Sequence, residues 1–537
     1  MEIHLKIKNA IVFSAWQRLW LLILAVCGLI VIFATYQDYG ATWDEPPQAA
    51  YGELVVDHFR SGFKTECNTL DDTKYKGPIV EAFSALLYET SGLKKYETRH
   101  LVSALLGLAA ILAATALGGL SQGRLVFFFT PLILALMPQF YGHAFINSKD
   151  IPFACGYTLS VLLFVLLFSP RVFSGKKAVF TGLAVGFALA VRMGGVLLAL
   201  VFVALGAWYL VFHKPWQGRD TRALVKQTLH TGALLLLMAL LAWMVLVAFW
   251  PWAQQNPLVN PAKSLSMIAQ FHRSYPVLYR GQYLMSDALP WHYLPWYLCI
   301  TTPLATLALF FAGLVSGAIQ TAKNPGSRDA MVYVALVFWF FPPIVYFIIK
   351  RPNVYDGIRH FMFLLPALAI FAARGAGAVV RLFHGSWKKL SAAFIALFVC
   401  MPLVDMAFLH PYESVYYNAL AGGVRGAAGK YETDYWLSGY KEAILWINAQ
   451  ESQTKRPVNV LVAVDKLSAP IASYYAAPGV RVLTTPKPPA ERVLWPNLDY
   501  YVSGTRYGCH TVFPDSRVVH TVGRAGVAFI VVKGRKG

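Results

Sequence analysis

Three carboxylates stand at the edges of long apolar runs. Asp44 and Glu45 are adjacent in "YGATWDEPPQAAYGE", after one such run and before Pro46 and Pro47. Asp150 stands in "HAFINSKDIP", at the start of another. An acid at the lip of a bilayer is costly, and by default it reads as functional. Helix capping accounts for one oxygen in each motif, since each is followed by a proline suited to a first helical turn. Capping leaves Glu45 surplus, and the nearby Tyr39, Trp43, Tyr51 and His143 have the look of a pocket lining. A carboxylate so placed can take a proton from an attacking hydroxyl or amine. Asp44 and Asp150 could together hold Mg²⁺ or Mn²⁺ through oxygen. Candidates to meet an anionic leaving group are Lys149, Arg192, Arg273, Arg280, Arg359 and His360. The alternative for each arginine is snorkelling to lipid headgroups.

The elements that must position these groups are membrane helices. Of the 537 residues, 57% are hydrophobic and only 14% charged, which excludes an ordinary soluble enzyme. The mean hydropathy is +0.50, and the apolar residues fall in blocks of bilayer length. About eleven spans are expected, near 16–36, 99–120, 125–145, 151–169, 178–192, 195–212, 229–250, 293–318, 330–349, 361–380 and 391–409. The net charge of +20 does not point to nucleic acid, because most of it sits in short loops between these blocks. A cytoplasmic N-terminus places Lys6, Lys8 and Arg18, then Arg124, then Arg171, Lys176 and Lys177 inside. Lys214, Arg219, Arg222 and Lys226 follow on the same side, then Lys323, Arg328, Arg381, Lys388 and Lys389. The basic start followed by an apolar run is like a signal peptide, but no small-residue cleavage site follows, so it reads as an uncleaved span. The odd number of spans then puts everything after His410 outside, along with all three acids.

The outer segments are the loop 37–98, the turn 143–152, the Pro- and aromatic-rich loop 250–292 and the tail 411–537. Within the first, "GPIVEAFSALLYETSG" is amphipathic and suits the membrane interface. The tail has a helical run near 439–450 and strand-like runs "VNVLVAV", "VRVLTT", "LDYYVSG" and "VAFIVV", as a small α/β domain would. Its "LAGGVRGAAGKY" reads as a hinge, since no strand precedes it and no GK[ST] follows. "LPWHYLPWYL" could stack on sugar rings or belong to the interfacial aromatic belt, and His292 reads as a belt residue. The six cysteines lack metal spacing. Cys67 and Cys509 alone fall outside the spans, and either form one bond clamping the tail to the first loop or are two free thiols.

"TWDE" resembles the first-loop acidic motif of the glycosyltransferases that use lipid-phosphate sugars, which include protein O-mannosyltransferases and the aminoarabinose transferases of lipid A. "NSKDIP" resembles their second acidic motif. "YKGPIVEAF" resembles their first-loop proline segment, with one proline where many members have two. "PWHYLPWYL" and "YDGIRHFMFLLPALAI" are similar to later segments, and "HPYESVYYNALAGG…YETDYW" to a bacterial subgroup. The resemblance implies a mainly α, polytopic, family-C glycosyltransferase-like core over 1–410 with a small extracytoplasmic α/β domain over 411–537. It implies transfer of a sugar from a polyprenyl phosphate to an extracytoplasmic glycan, lipid or protein at the bacterial inner membrane. Asp44 would be the base, with inversion at the anomeric carbon, and Glu45 would orient the acceptor or hold a partner charge. The rivals are a flippase of lipid-linked sugar, a lipid-linked polysaccharide polymerase or ligase, and a scaffold. Flippases often carry inverted repeats, and none is visible here.

Overall fold

The computed structural model of the protein describes residues 13–67, 71–121, 123–169, 174–217, 220–269, 273–452, 456–463, 468–484 and 497–534. Lys6, Lys8, Arg171 and Arg219, used above for orientation, lie outside the described residues. Among the described residues nine helices are long and apolar enough to cross a membrane. The pair Arg124–Ala135 and Pro138–Ile146, bent by 59°, makes a tenth. Gly175–Val191, of 17 residues, occupies the place of the remaining expected span. The chain is a multi-pass membrane protein. Its first helix, Ala15–Thr35, leaves most side chains on the outside of the bundle, as a lipid-facing helix does.

Two further expected spans are broken, each at a proline. The run near 293–318 divides into Tyr293–Thr301 and Leu304–Lys323. Thr302 is extended there (φ −97°, ψ 136°), the conformation favoured before a proline such as Pro303. The last run divides into Gly385–Cys400 and Pro402–Leu409. At the centre, the segment Arg359–Arg381 is buried almost throughout. Gly375 lets it approach Leu304–Lys323 closely, because a Cβ there would lie 1.9 Å from the Leu309 carbonyl oxygen. Arg374 donates to both carboxylate oxygens of Asp329 at 2.7 and 2.9 Å, tying two of these helices through a buried bidentate pair.

Outside the bundle, the first loop forms Glu45–Arg60 and Ile79–Ser91. The second of these is the expected amphipathic helix, ended by Gly92 in the left-handed region at φ 71°. Beyond the seventh span lie short helices and a hairpin, β1 (Pro276–Tyr279) and β2 (Gln282–Met285). Its turn residues Arg280 and Gly281 both have positive φ, the backbone that matches the twist of a two-residue hairpin. The tail carries β3 (Val458–Val462), β4 (Val480–Leu483), β5 (Tyr500–Gly504), β6 (Arg517–Arg524) and β7 (Val527–Gly534). The sheet order is β4-β3-β5-β7-β6, with β3 parallel to β4 and β5, and β7 antiparallel to β5 and β6. Helix Tyr440–Gln450 packs on it.

The tail is anchored on the first loop and the bundle by polar contacts. Lys441 Nζ donates to the carbonyl oxygens of Gln37, Asp38 and Tyr39. Tyr475 Oη accepts from the Ala41 amide at 2.8 Å, and Tyr474 donates to Glu97 at 2.8 Å.

Candidate active site

Asp44 immediately precedes the helix Glu45–Arg60, with Pro46 and Pro47 in the first turn. Its backbone is already helical (φ −78°, ψ −20°) and its side chain caps nothing. The carboxylate instead turns across the fold, where Oδ2 accepts from Arg359 Nη1 at 3.0 Å. It keeps 32% of its side chain exposed, whereas Arg359 is buried. The Arg359 guanidinium lies between the rings of Tyr355 at 4.6 Å and Trp436 at 4.8 Å, so its plane is fixed by two aromatic faces.

Glu45 points the other way. It is buried, with Oε2 accepting from the Thr42 amide at 2.8 Å and lying 3.2 Å from His100 Nε2. Arg99 Nε stands 3.4 Å from Oε1. Arg99 also donates to Gln48 and Ser148 at 2.9 and 2.7 Å. This buried network joins the first loop, the helix Lys95–Leu120 and the turn holding Asp150. Glu45 therefore holds charge beneath the motif and has no open face for an acceptor.

The second acidic motif is a hydrogen-bonded turn. Asn147 Oδ1 accepts from the Asp150 amide at 2.9 Å, and Asn147 Nδ2 donates to Asp150 Oδ2 at 2.8 Å. Asp150 Oδ1 pairs with Arg192 at 2.6 Å. Lys149 reaches the first loop, where its Nζ donates to the Gly77 carbonyl at 2.6 Å and pairs with Glu81 at 2.9 Å. Gly77 also lets the first loop approach the helix Gly175–Val191 closely, since a Cβ there would lie 1.9 Å from the Ala190 carbonyl oxygen. Burial pushes the Lys149 ammonium down to about 8, and Glu81 opposes that fall. It remains a cation at neutral pH.

Asp44, Gln48, Tyr51, Thr73, Lys76, Glu81 and Lys149 line a small polar cavity of about 40 Å³. It brings together a half-exposed carboxylate and two lysines from separate segments. That is what a proton transfer beside a departing anion requires.

The other expected site residues divide. His143 is buried with Nε2 3.1 Å from Tyr435 Oη, beside Trp436, and so supports the ring that covers Arg359. His360 is half-buried, edge-on to Tyr355. Arg280 lies over Trp296 at 5.1 Å on the hairpin turn, and Arg273 is exposed and its carbonyl accepts from Asn353. Neither lines the cavity around Asp44. Cys67 and Cys509 are free thiols. They are buried in different apolar clusters, Cys67 with Tyr51 and Val55, Cys509 with Tyr501 and Phe513. The clamp between loop and tail is made by hydrogen bonds, not by a disulfide.

The metal expectation does not fit the residues. Asp44 and Asp150 each already have a guanidinium as partner. Among the described residues no three His, Cys, Asp or Glu side chains converge.

Residues not singled out from the sequence are Lys76, Glu81, Arg99, Asp356, Glu432 and Arg506. Lys76 and Glu81 stand within "YKGPIVEAF", so that motif held the signal. Glu432 stands within "YETDYW", and burial pushes its carboxyl up to about 7 against the pull of Arg506.

No family model and no curated protein matches the chain. Two crystal structures of ArnT from Cupriavidus metallidurans match over nearly the whole length. The form bound to undecaprenyl phosphate is 17% identical over 96% of this chain and 98% of that one, with a TM-score of 0.51. The apo form is 16% identical over the same shares, with a TM-score of 0.50. The chain therefore shares the fold of these ArnT structures.

Proposed function

We propose that the protein is a glycosyltransferase that moves a sugar from a polyprenyl phosphate to an acceptor outside the bacterial inner membrane. The observation that carries this reading is the half-exposed Asp44 carboxylate, held by Arg359 and sharing a cavity with Lys76 and Lys149. The fold agrees with it, since the similar ArnT was crystallised with undecaprenyl phosphate. The basic inner loops support a cytoplasmic N-terminus and an outer active site.

In the proposed reaction an acceptor hydroxyl or amine attacks the anomeric carbon from the face opposite the phosphate. A bond from acceptor to sugar forms as the anomeric carbon–oxygen bond breaks, with inversion. The acceptor proton passes to Asp44, and from there to water. The bond's electron pair leaves on the phosphate oxygen, and polyprenyl phosphate departs. Lys76 and Lys149 face that developing charge, and Arg192, 30% exposed, pairs with Asp150, the residue next to Lys149. Arg359 keeps Asp44 oriented by one oxygen and leaves the other for the acceptor.

The test is a proteoliposome assay with labelled undecaprenyl-phosphate aminoarabinose, glucose and mannose in turn. Release of undecaprenyl phosphate with labelled acceptor is the expected result. Movement of intact labelled lipid across the bilayer, with no release, would establish a flippase instead.

A further inference from the structure

A line of alternating charges runs from the tail to the proposed base. Arg506, in the turn after β5, pairs with Asp356 Oδ1 at 2.9 Å. Asp356 Oδ2 lies 3.7 Å from Arg359 Nη1, the same nitrogen that donates to Asp44 at 3.0 Å. All three inner members are buried: Arg506 is 5% exposed, Asp356 1% and Arg359 4%. The order Asp44–Arg359–Asp356–Arg506 joins residues from the first loop, the loop before the central span and the tail.

Three further observations fix this line in place. Asp356 is a non-glycine residue in the left-handed region (φ 61°), followed by Gly357 at φ 66°. Such a backbone is strained and persists where its surroundings over-determine it. Here the clamps are the two guanidiniums on its carboxylate and the Tyr293 hydroxyl, which accepts from the Gly357 amide at 3.0 Å. Secondly, Arg506 Nη1 donates to the Tyr435 carbonyl at 3.0 Å and its guanidinium lies over Trp43 at 4.3 Å, next in sequence to Asp44. Thirdly, the Trp43 amide donates to the Trp436 carbonyl at 3.2 Å, and Trp436 covers Arg359. The tail thus grips both ends of the Asp44–Arg359 pair.

We propose that the tail is a positioning element for the catalytic centre, and that Arg506 is its positioning residue, acting through Asp356 on Arg359 and so on Asp44. Arg359 has two carboxylates within reach of one nitrogen. With Arg506 in place, half the charge of Asp356 is met from the far side, and Arg359 remains bonded to Asp44. Without Arg506, Asp356 is a buried carboxylate with one guanidinium left to it, and that guanidinium is drawn from Asp44 towards it. The base then loses its fixed orientation, while the cavity residues Lys76 and Lys149 are untouched. Turnover falls and affinity for the lipid does not.

This inference rests on the reading of Asp44 as base, and its test has one arm that needs no turnover. In full-length protein in nanodiscs, Arg506→Gln is compared with Arg506→Lys, Asp356→Asn, the double variant, and Arg456→Gln as a control on an exposed tail pair. Hydrogen exchange is followed in peptides covering 39–48 and 351–361. The expected result for Arg506→Gln is faster exchange in both peptides, partly restored in Arg506→Lys. Exchange faster only in the tail around 500–512 would overturn the proposal. In the activity arm, Arg506→Gln lowers kcat about tenfold with undecaprenyl phosphate affinity unchanged. The double variant with Asp356→Asn falls no further than the worse single variant. Multiplying losses, or weaker undecaprenyl phosphate binding, would show that Arg506 acts by another route. If Asp44→Asn retains turnover while the exchange coupling appears, the reading of the base fails and the tail's grip on Arg359 stands.

Discussion

Replacing Asp44 with Asn separates a helix cap from a base. Asn is as good a cap as Asp, and the Asp44 side chain makes no cap hydrogen bond to lose. Asn also keeps the size of the side chain and an oxygen that can accept from Arg359. What goes is the charge. With a third of the Asp44 side chain exposed, the lost ion pair costs under about 1 kcal/mol of stability, and Asp356 still stands beside Arg359. The melting temperature should therefore hardly move. Loss of a general base costs about 10²-fold or more in rate, or ~3 kcal/mol in the barrier. The assay is release of undecaprenyl phosphate from labelled donor in proteoliposomes, with wild type and Asp44→Asn matched for folded protein. A variant that melts normally and turns over normally would refute the assignment, because nothing else in the substitution protects the rate.

Further substitutions test the surroundings. Lys76→Ala should raise KM for the lipid donor about tenfold with kcat little changed, as a lost charge-assisted contact to phosphate would; unchanged donor kinetics would place the phosphate elsewhere. Glu45→Gln should behave differently from Asp44→Asn, lowering the yield and melting temperature of the protein, since it unpairs a buried charge from Arg99. Glu432, facing Arg506, Asp356, the Leu278 amide and the tyrosines 293, 297 and 417, has its carboxyl pushed up from 4.5 to about 7 by burial. A carboxyl raised in the folded state contributes stability that is complete below pH 4.5 and lost as pH rises to 7. The loss amounts to about 3 kcal/mol, so Glu432→Gln should raise the melting temperature at pH 8 and leave it unchanged near pH 4.5. Cys67 and Cys509, both buried and pushed up to about 11 by burial, should react with maleimide without reductant only once the protein is unfolded; a requirement for reductant would show a disulfide.

The membrane helices were legible because bilayer length and hydropathy leave little choice. The breaks at Pro303 and Pro402 were not read from the sequence, because hydropathy passes over them, since a proline hardly changes the average of a window. In the tail, β3, β4, β5 and β7 announced themselves by Val-rich runs. β6 did not, because it is an edge strand with mostly exposed side chains and reads "RVVHTVGR". The hairpin of β1 and β2 has four-residue strands and only the Arg280-Gly281 turn as its sign. For the site, Asp44 and Asp150 could be singled out because acids are rare at bilayer edges. Arg192 and Arg359 could be named as candidates for the phosphate, but not paired with these acids, as Arg359 is 315 positions from Asp44. Glu45 was open to two roles, orienting the acceptor or holding a partner charge; its burial against Arg99 and His100 favours the second, since successive residues at a helix start point about 100° apart.

Charge around the cavity explains why these partners are arginines and lysines. Lys76, Lys149, Arg192 and Arg359 stand against Asp44, Glu81 and Asp150, a surplus of one positive charge before substrate arrives. A sugar phosphodiester of a polyprenol brings one negative charge, and the two then balance. In the proposed reaction the lipid phosphate gains a further negative charge as the sugar leaves, while Asp44 takes up the acceptor's proton. The charge that appears on the phosphate is the charge that disappears from Asp44, and the total inside the site stays constant through the reaction. In surroundings of low dielectric such constancy is worth several kcal/mol, because no net charge has to be created away from water. A divalent cation at Asp44 and Asp150 would break that balance and would have to displace both guanidiniums. In the proposed reaction protonating Asp44 helps the leaving group, whereas protonating Asp150 or Glu81 would release Arg192 or Lys149 from the place where the phosphate needs them.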